Sequence, residues 1–595
     1  MRRAVFFGVL ALVVMAPALV MGVGRSDSGL YNLVWASQFA AAWPADPYPR
    51  WLPDSFGGRG SPVFLFYPPM AFLMDAVLNA LTLGAITTRW RLALDAWLLL
   101  WLSGVTMDLW LGRRVTAGVA LAAGAGLILA PYHLLDQYWR GALAEFAAIA
   151  VLPLVLMGTE AAARSWRGVP WLGVGLALLI ATHLPSAVLA CVTVVPAVLW
   201  GSVPSWHKAA VAVATVRAAL GGVLGIALAS AYLAPALLLQ DSVSFDLLWR
   251  TYYLPIPWLL TSFVVWPSLR LMSVVASLSV ANLVGAIAVL AAWHGKTGPG
   301  TGLARALAAA SIFAVLMLAG LIPYVWDIPL LAKVQFPWRL LGAVEVATIG
   351  ALALSAARFP ARSQRRVLLA MAVLSAPGVA VIANQAGGEV WTTSAWARDV
   401  RSIEAAGTPD TAEYLPRGVP REIARAFSET KSPAMPPARA VTCLPETARC
   451  ERDRDGSIVL EAAFPTTVTV QTFYFPGWGA RIDGGGFVAA RPAPPNQVLA
   501  FDLPAGTTRF RTERIATGVE QMGAAISTVA LVVTLAWLFV ARRRRVTVLS
   551  APSPFCSYSP AAAWPPHHAA SARRHCALSP SWAGLLRRPP TAVRR

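Results

Sequence analysis

The chain has 595 residues, of which 57% are hydrophobic and only 13% are charged. Soluble domains carry about 25% charged residues, so this composition excludes a soluble globular protein and predicts an integral membrane protein with many spans. The net charge of +20 would suit a nucleic-acid-binding protein. That class is excluded because the basic residues are scattered singly between apolar runs or lie in the C-terminal tail, without forming a stripe.

Apolar segments of about twenty residues recur along the chain and are candidate membrane spans. The sequence predicts about twelve of them, near residues 4–23, 92–111, 115–131, 143–159, 170–182, 185–200, 218–239, 271–291, 306–322, 339–357, 367–384 and 521–540. The first could be a signal peptide, but its length favours a retained span. The apolar segment 70–86 is ambiguous, because it carries Asp75 and Asn79.

The basic residues between the spans predict the orientation of the chain. If 70–86 lies along the membrane surface without crossing it, the later basic loops fall on the same side as Arg2 and Arg3, as the positive-inside rule requires. We therefore expect a multi-pass protein of the inner (plasma) membrane with both termini in the cytoplasm. The segments expected outside the cytoplasm are 24–91, 132–145, 240–270 and 322–340.

The sequence predicts four regions along the chain. They are a transmembrane domain (1–384), an extracytoplasmic β-rich domain (385–518), a last transmembrane helix with a basic stop (519–545) and a disordered cytoplasmic tail (546–595). The β-rich assignment follows from alternating apolar and polar residues in runs such as TVTVQTFYF and NQVLAFDL, which are separated by turns rich in glycine and proline.

The cysteines predict a disulfide and leave the metal question open. Cys443 and Cys450 lie in the β-rich region and could pair if that region is outside the cytosol. No CxxC motif or cluster of histidine and cysteine predicts a metal site. No cofactor is therefore certain from these residues.

A polar segment after the first span, Tyr48–Pro69, reads YPRWLPDSFGGRGSPVFLFYPP. Its prolines stiffen the backbone and its glycines allow tight turns and close approach to a ligand. Arg50 and Arg59 are set among aromatic residues in this segment, and Asp27 ends the span upstream of it. We expect Asp27 and this segment to form one site at the outer membrane surface.

These motifs resemble the first external loop of bacterial GT-C-type membrane glycosyltransferases, closest to the membrane proteins labelled "6-pyruvoyl-tetrahydropterin synthase-related" and the YfhO-like group. PYHLLDQYWRGALAE, VQFPWRLLG, EYLPRG (413–418) and FYFPGWGARIDG (473–484) carry the same resemblance, which covers residues 1 to about 540. No zinc site of a soluble pterin synthase is present in the sequence, so that activity is set aside.

The resemblance implies a GT-C-like helical fold, an outward-facing site and a sugar donor carried on a polyprenyl phosphate. It also implies an acidic residue at the start of the first external loop, which acts as base or orients the acceptor, and Asp27 matches that position. Many relatives have histidine before this aspartate, whereas this chain has Ser26. A divalent metal therefore stays an open alternative.

Asp27 is the candidate catalytic base, because the reaction needs a carboxylate that takes a proton from the acceptor hydroxyl or orients it. An aspartate that merely caps the span is the alternative explanation. Arg50 and Arg59 are candidate ligands of the donor phosphate or sugar, since arginine can contact phosphate through two N–H groups. The alternative is an arginine that snorkels to the interface beside Trp51.

Two further regions supply charged candidates. Arg140 and Glu145 lie five residues apart in WRGALAE, where one could contact the donor phosphate and the other the acceptor. A mutual ion pair that fixes a helix start is the alternative. Arg339, in QFPWRLL, opens a span from the outer side, where a cation suits a lipid phosphate.

Three more residues are candidates for lining the donor site. Tyr67 ends the polar segment after the first span, and His133 and His183 fall near the predicted outer surface. For His183 a purely structural histidine is the alternative, because it lies between two apolar runs.

Together these features predict a mainly α polytopic membrane protein with an extracytoplasmic β-rich domain near the C-terminus. The expected function is inverting transfer of a monosaccharide from a polyprenyl-phosphate donor to an envelope glycan, lipid or protein outside the cytoplasm. The expected partners are that donor, the acceptor and the lipid bilayer, without nucleic acid. A polytopic transporter or flippase and a non-catalytic envelope scaffold are the alternatives.

Overall fold

The protein is mainly helical, with β-strands confined to a region near its C-terminus. The computed structural model describes residues 2–24, 26–203, 207–249, 253–262, 268–296, 300–356, 358–406, 410–428 and 435–550. Residues 1–541 form one compact unit. From residue 551 on, the predicted disordered tail lies outside the described residues.

The first twelve helices are α1 (Arg2–Met21), α2 (Gly29–Ala42), α3 (Ser55–Gly58), α4 (Val63–Phe66), α5 (Met70–Leu81), α6 (Thr88–Leu111), α7 (Ala117–Ile128), α8 (Pro131–Leu135), α9 (Leu143–Arg164), α10 (Val169–Thr182), α11 (Leu184–Val192) and α12 (Val194–Gly201). The others are α13 (Lys208–Leu228), α14 (Ser230–Leu238), α15 (Leu269–Ala292), α16 (Thr301–Ala319), α17 (Pro329–Ala332), α18 (Leu340–Ser355), α19 (Ala361–Ala406), α20 (Arg421–Ser428) and α21 (Gly518–Ser550).

Ten of the described helical segments are long and apolar enough to cross a membrane. The number is eleven if α11 and α12, which are bent by 43° at their junction, count as one span. The predicted twelve is therefore slightly high. One reason is α10, which has 14 residues and is shorter than a full span.

Helix α5 covers most of the ambiguous segment 70–86. Its 12 residues extend about 18 Å at about 1.5 Å per residue, whereas the hydrocarbon core is about 30 Å thick. By length alone α5 cannot cross the bilayer, which agrees with its predicted position along the surface. The predicted loop 132–145 differs more, because helical structure continues to Arg140 and resumes at Leu143.

The first span packs closely against α6 and α7 through small residues, as in many membrane helix pairs. A Cβ atom on Gly124 would lie 2.5 Å from the ring of Phe7 and 2.6 Å from the carbonyl oxygen of Gly104, so only glycine fits there. The indole N–H groups of Trp97 and Trp101 donate to carbonyl oxygens of α1 at 3.0 and 2.8 Å. The opposite face of α1 is apolar and exposed, as expected for a face that contacts lipid.

The strands form two antiparallel sheets. They are β1 (Val441–Leu444), β2 (Arg449–Arg452), β3 (Ile458–Ala462), β4 (Thr466–Phe473), β5 (Trp478–Ile482), β6 (Phe487–Ala489), β7 (Arg491–Ala493), β8 (Val498–Leu503) and β9 (Gly506–Arg514). The four-stranded sheet has the order β1-β4-β8-β7, and the five-stranded sheet has the order β2-β3-β9-β5-β6.

The two sheets share one apolar core, because alternate residues of each strand point inward. Val468 and Phe501 from one sheet and Leu460 and Phe510 from the other are fully buried in it. A disulfide joins Cys443 on β1 to Cys450 on β2. The strands begin only at residue 441, so the β-rich region is shorter than the predicted 385–518, whose first residues continue α19.

The polar segment Tyr48–Pro69 is anchored to the β-rich region. The backbone N–H of Phe473 donates to the carbonyl oxygen of Arg59 at 2.9 Å. The rings of Trp51 and Trp478 meet edge to face with centroids 5.2 Å apart. The segment is therefore a fixed part of the fold, and the predicted fold class of a polytopic helical protein with a β-rich region is confirmed.

Candidate active site

The candidate site is built around the break between α8 and α9. After α8, residues Asp136–Arg140 form a single π-helical turn, and Gly141 takes a left-handed conformation with φ +59°. A Cβ atom on Gly141 would lie 2.1 Å from the hydroxyl oxygen of Ser26, so glycine is required on both counts. The tight turn brings Arg140 and Glu145 into contact.

Arg140 and Arg339 share one carboxylate oxygen of Glu145. Arg140 Nη1 donates to Glu145 Oε2 at 2.7 Å and to Asp136 Oδ1 at 2.5 Å. Arg339 Nε lies 3.2 Å from the same Glu145 Oε2, in an ion pair without hydrogen-bond direction. The Tyr132 hydroxyl donates to the other oxygen, Oε1, at 2.5 Å. All of these side chains are largely buried, so the charges are held in fixed positions.

The cluster has hydrogen-bonding capacity that the protein does not use. Arg140 bonds only through Nη1 to described residues. Asp136 Oδ2 and Trp338 Nε1 are buried and have no hydrogen-bond partner in the described part of the chain. Buried polar atoms of this kind are uncommon in native proteins and point to a site that contacts water, an ion or a ligand.

The two candidate histidines differ in their surroundings. Both ring nitrogens of His133 lie 3.2 Å from backbone carbonyl oxygens, those of Leu127 and Phe146, so this ring is fully engaged by the backbone. His183 lies closer to the charged cluster and is within electrostatic reach of Glu145, and its Nδ1 is 2.8 Å from the Ser186 hydroxyl. The geometry thus favours a structural role for His133.

Asp27 is positioned by the same turn that carries Arg140. The backbone N–H of Asp27 donates to the carbonyl oxygen of Trp139 at 3.2 Å, and that of Ser28 donates to Arg140 at 2.9 Å. The amide of Asn32 adds a bond to Gly141 at 2.6 Å. The Asp27 side chain is exposed to solvent. Partial burial raises the pKa of Asp27, while the positive charge of Arg140 lowers it.

Tyr67 lies between the charged cluster and an aromatic layer. Its ring contacts that of Trp35 with centroids 5.0 Å apart and an angle of 61°. Burial raises the pKa of the Tyr67 hydroxyl to about 12, and the nearby Arg339 charge opposes this rise. Tyr67 therefore lies within electrostatic reach of Arg339, and its place in the donor site stays a prediction.

Arg50 and Arg59 lie apart from the charged cluster. Arg50 pairs with Glu520 at 2.9 Å and donates to the Ala231 carbonyl oxygen at 3.0 Å. Arg59 donates to the carbonyl oxygens of Phe56 and Pro436. In this structure both guanidinium groups hold the polar segment in place, and their binding of phosphate or sugar stays a prediction.

A cavity of about 1270 Å³ lies next to α2 and was not predicted from the sequence. It is lined by Tyr31, Ser244, Asp246, Leu247, Tyr253, the segment Asp410 to Glu413, Arg417 to Val419, Arg421, Ala424 and Arg425. Tyr31 is in the first turn of α2, just after Asp27. The cavity is therefore lined by a residue four positions after the candidate base, although Asp27 itself is not among its lining residues.

Two carboxylates in the cavity wall are the functional candidates that sequence reasoning missed. Asp410 is fully buried and accepts hydrogen bonds from Trp35 Nε1 at 2.9 Å and from the Thr411 N–H at 2.7 Å. Burial raises the pKa of Asp410 to about 6 and that of Glu413 to about 7. The available signal was EYLPRG (413–418), which carried the family resemblance without a role for Glu413.

No group of three or more histidine, cysteine, aspartate or glutamate side chains that could hold a metal occurs among the described residues. Asp410 and Glu413 make a pair only, and the Glu145 cluster is already occupied by two arginines. The residues described thus offer no complete ligand set for a divalent metal.

No protein-family model and no curated protein matches the chain. Among solved structures, the arabinofuranosyltransferase AftD from mycobacteria is similar at 16% identity with a TM-score of 0.40, over 64% of this chain and 27% of AftD. ArnT from Cupriavidus metallidurans, bound to undecaprenyl phosphate, is similar at 15% identity with a TM-score of 0.38, over 68% of this chain and 71% of ArnT. This chain thus spans about a quarter of AftD, and a likeness of this size assigns neither a family nor an activity to it.

Proposed function

We propose that this chain is a membrane glycosyltransferase that moves a monosaccharide from a polyprenyl-phosphate donor to an envelope acceptor outside the cytoplasm. The observation that carries the proposal is that the turn with Arg140 also fixes the backbone of Asp27, while Glu145 joins Arg140 to Arg339. This arrangement puts a solvent-accessible carboxylate within electrostatic reach of Arg140, whose guanidinium group shares Glu145 with Arg339.

The two arginines would stabilise the leaving phosphate. Negative charge builds up on the phosphate oxygens as the bond to the sugar breaks, and cations fixed before the reaction stabilise that charge most effectively. Glu145 holds Arg140 and Arg339 in place, and Arg140 keeps nitrogens free of bonds to described residues. Arg140 is therefore the residue that we expect to contact the phosphate directly.

Asp27 would act as the base. Its carboxylate would take the proton of the acceptor hydroxyl while that oxygen forms a bond to the anomeric carbon. The bond between the anomeric carbon and the phosphate oxygen breaks on the opposite face, and the polyprenyl phosphate leaves with the electron pair. A single displacement of this kind inverts the configuration at the anomeric carbon.

The location outside the cytoplasm has two supports. The basic residues between the spans favour cytoplasmic termini if α5 does not cross, and α5 is too short to cross. The disulfide between Cys443 and Cys450 is typical of a protein segment in an oxidising compartment. Both observations support the proposal that the β-rich region and the candidate site lie on the outer side of the membrane.

Proton-coupled transport is a second candidate, favoured by buried charges within α6. Arg91 makes a two-pronged ion pair with Asp75 at 3.0 Å. Asp95, one turn further along α6, is fully buried and has no hydrogen-bond partner for either oxygen in the described part of the chain. Ionisable residues buried within spans are common on the proton paths of transporters.

The experiment uses cells that lack this protein and express either the wild type, Asp27→Asn or the control Asp46→Asn. Asp46 is an exposed aspartate just before the polar segment, and its carboxylate accepts a hydrogen bond from the backbone N–H of Tyr48. We expect Asp27→Asn, at normal protein levels, to give the envelope glycans and lipid-linked sugars of the deletion strain. Wild-type glycans and lipid-linked sugars in cells that express Asp27→Asn would contradict the proposed transferase. A further variant, Asp95→Asn, tests the second candidate: if it loses these products while Asp27→Asn keeps them, transport is favoured.

A further inference from the structure

The cavity beside α2 contains a carboxylate that the proposed reaction does not yet use. Glu413 lies in the cavity wall and is partly exposed to it. The groups that set its pKa are its own burial, a backbone N–H, the charge of Asp410 and the hydroxyl of Thr411. No arginine or lysine is among them, so in the described part of the chain Glu413 is not held by a counterion.

Of the two carboxylates in the cavity wall, Glu413 is the one that a ligand can reach. Asp410 is fully buried, and its Oδ2 has no hydrogen-bond partner in the described residues. Glu413 is only partly buried. A carboxylate that faces a polar cavity can accept a hydrogen bond from a hydroxyl group of a ligand.

The chemistry of the cavity favours a sugar over an acyl chain. Charged side chains of both signs line it, and covering them with an apolar chain would cost their hydration. Tyr31 and Tyr253 contribute aromatic faces on which a sugar ring can pack. The volume of about 1270 Å³ exceeds the roughly 300–1,000 Å³ typical of small-ligand pockets, so more than one sugar unit fits.

We propose that Glu413 binds a hydroxyl group of a glycan acceptor in this cavity and so orients the acceptor toward Asp27. This inference rests on the proposed function, because it takes the cavity to be the acceptor site of a transferase. Among the three acceptor classes that the sequence left open, which are glycan, lipid and protein, it selects a glycan. Glu413 lies within electrostatic reach of Tyr31. Tyr31 is in the first turn of α2, four residues after Asp27, and it connects Glu413 with the region of the candidate base.

The protonation of Glu413 suits this role. Burial, with the charge of Asp410 adding to it, raises the pKa of Glu413 to about 7. Near neutral pH the carboxyl group is therefore present in both forms, and it can accept a hydrogen bond from one acceptor hydroxyl or donate one to another oxygen of the sugar.

The experiment measures transfer by the full-length chain in lipid nanodiscs. The acceptor is the envelope polysaccharide fraction of a strain that lacks this protein, and the donors are labelled polyprenyl-phosphate monosaccharides. For Glu413→Ala we expect the acceptor concentration at half-maximal rate to rise about tenfold or more, with the donor value little changed. Glu413→Gln, which keeps an oxygen at the same place, should show a smaller rise.

Glu422→Ala is the matched control, because Glu422 lies in the same region on α20 but is exposed and does not line the cavity. It should behave as the wild type. An unchanged acceptor value for Glu413→Ala, or a change in the donor value instead, would overturn the inference while leaving the transferase intact.

A second measurement tests this inference separately from the proposed function. It uses the wild-type protein, so it does not depend on whether a variant folds. Carbodiimide labelling of the wild type, read by peptide mass spectrometry, compares Glu413 with Glu422 with and without the same polysaccharide fraction. We expect the polysaccharide to protect Glu413 and not Glu422, even if no donor tested is transferred. Equal labelling of Glu413 in both conditions would overturn the inference, whereas protection without any transfer would count against the proposed function alone.

Discussion

The carboxyl group of Asp410 is fully buried and lies outside the candidate membrane spans. Its ionisation should therefore change the free energy of unfolding of the protein. Burial raises its pKa from 3.8 to about 6. At about 1.4 kcal/mol for each tenfold change in the acid constant, this difference corresponds to about 3 kcal/mol. A raised pKa stabilises the folded state fully below the pKa of the unfolded state, and this contribution is lost as the pH rises through the folded-state value.

Asp410→Asn removes this titration and keeps an oxygen that can accept the hydrogen bonds from Trp35 and Thr411. We therefore expect the free energy of unfolding of the variant, minus that of the wild type, to increase by about 2.5 kcal/mol between roughly pH 4 and pH 7. Denaturant titrations of the detergent-solubilised chain, followed by tryptophan fluorescence, measure this difference at each pH. A difference that stays constant over this range would refute the reasoning.

The comparison must allow for the other titratable groups that face Asp410. These are Glu413, Tyr31 and Tyr414, and all three are present in the variant and in the wild type. Glu422→Gln, which changes an exposed carboxylate on α20, serves as the control and should show no such dependence on pH.

Two further predictions concern other parts of the chain. Glu145→Gln leaves the buried charges of Arg140 and Arg339 without their shared partner, so the free energy of unfolding should fall by about 3–5 kcal/mol; a stability within error of the wild type would mean that the pair does not hold these arginines. Replacing Cys443 and Cys450 with alanine should lower the free energy of unfolding by about 2.5 kcal/mol. The value is modest because the disulfide closes a short loop, with a sequence separation of 7, and so restricts the unfolded chain only slightly. Adding a reductant should destabilise the wild type and leave the double variant unchanged.

The spans were predictable because the bilayer demands a minimum length of apolar helix. The predicted span 143–159 lies within α9, and 521–540 lies within α21. The prediction of a loop at 132–145 did not anticipate its helical structure or the hydrogen bonds that its polar residues make with one another. Hydropathy does not distinguish a polar residue in water from one with a buried partner.

The charged cluster was predictable only in its local part. The spacing of Arg140 and Glu145 allowed an ion pair, and the structure has it. Arg339 joins them through the packing of distant helices, which no local pattern encodes. Asp410 accepts a hydrogen bond from Trp35, 375 positions earlier in the chain, and it lies in a segment without periodicity, so neither its burial nor its cavity left a trace in the sequence.

The bond between Arg50 and Glu520 joins positions that are 470 residues apart, near the two ends of the folded unit. During synthesis, Arg50 emerges from the ribosome long before its partner exists. The first extramembrane segment can therefore reach its final form only after α21 has entered the membrane. A nascent chain that stalls before α21 would present a half-buried guanidinium group without its carboxylate, which makes incomplete molecules chemically distinct from finished ones.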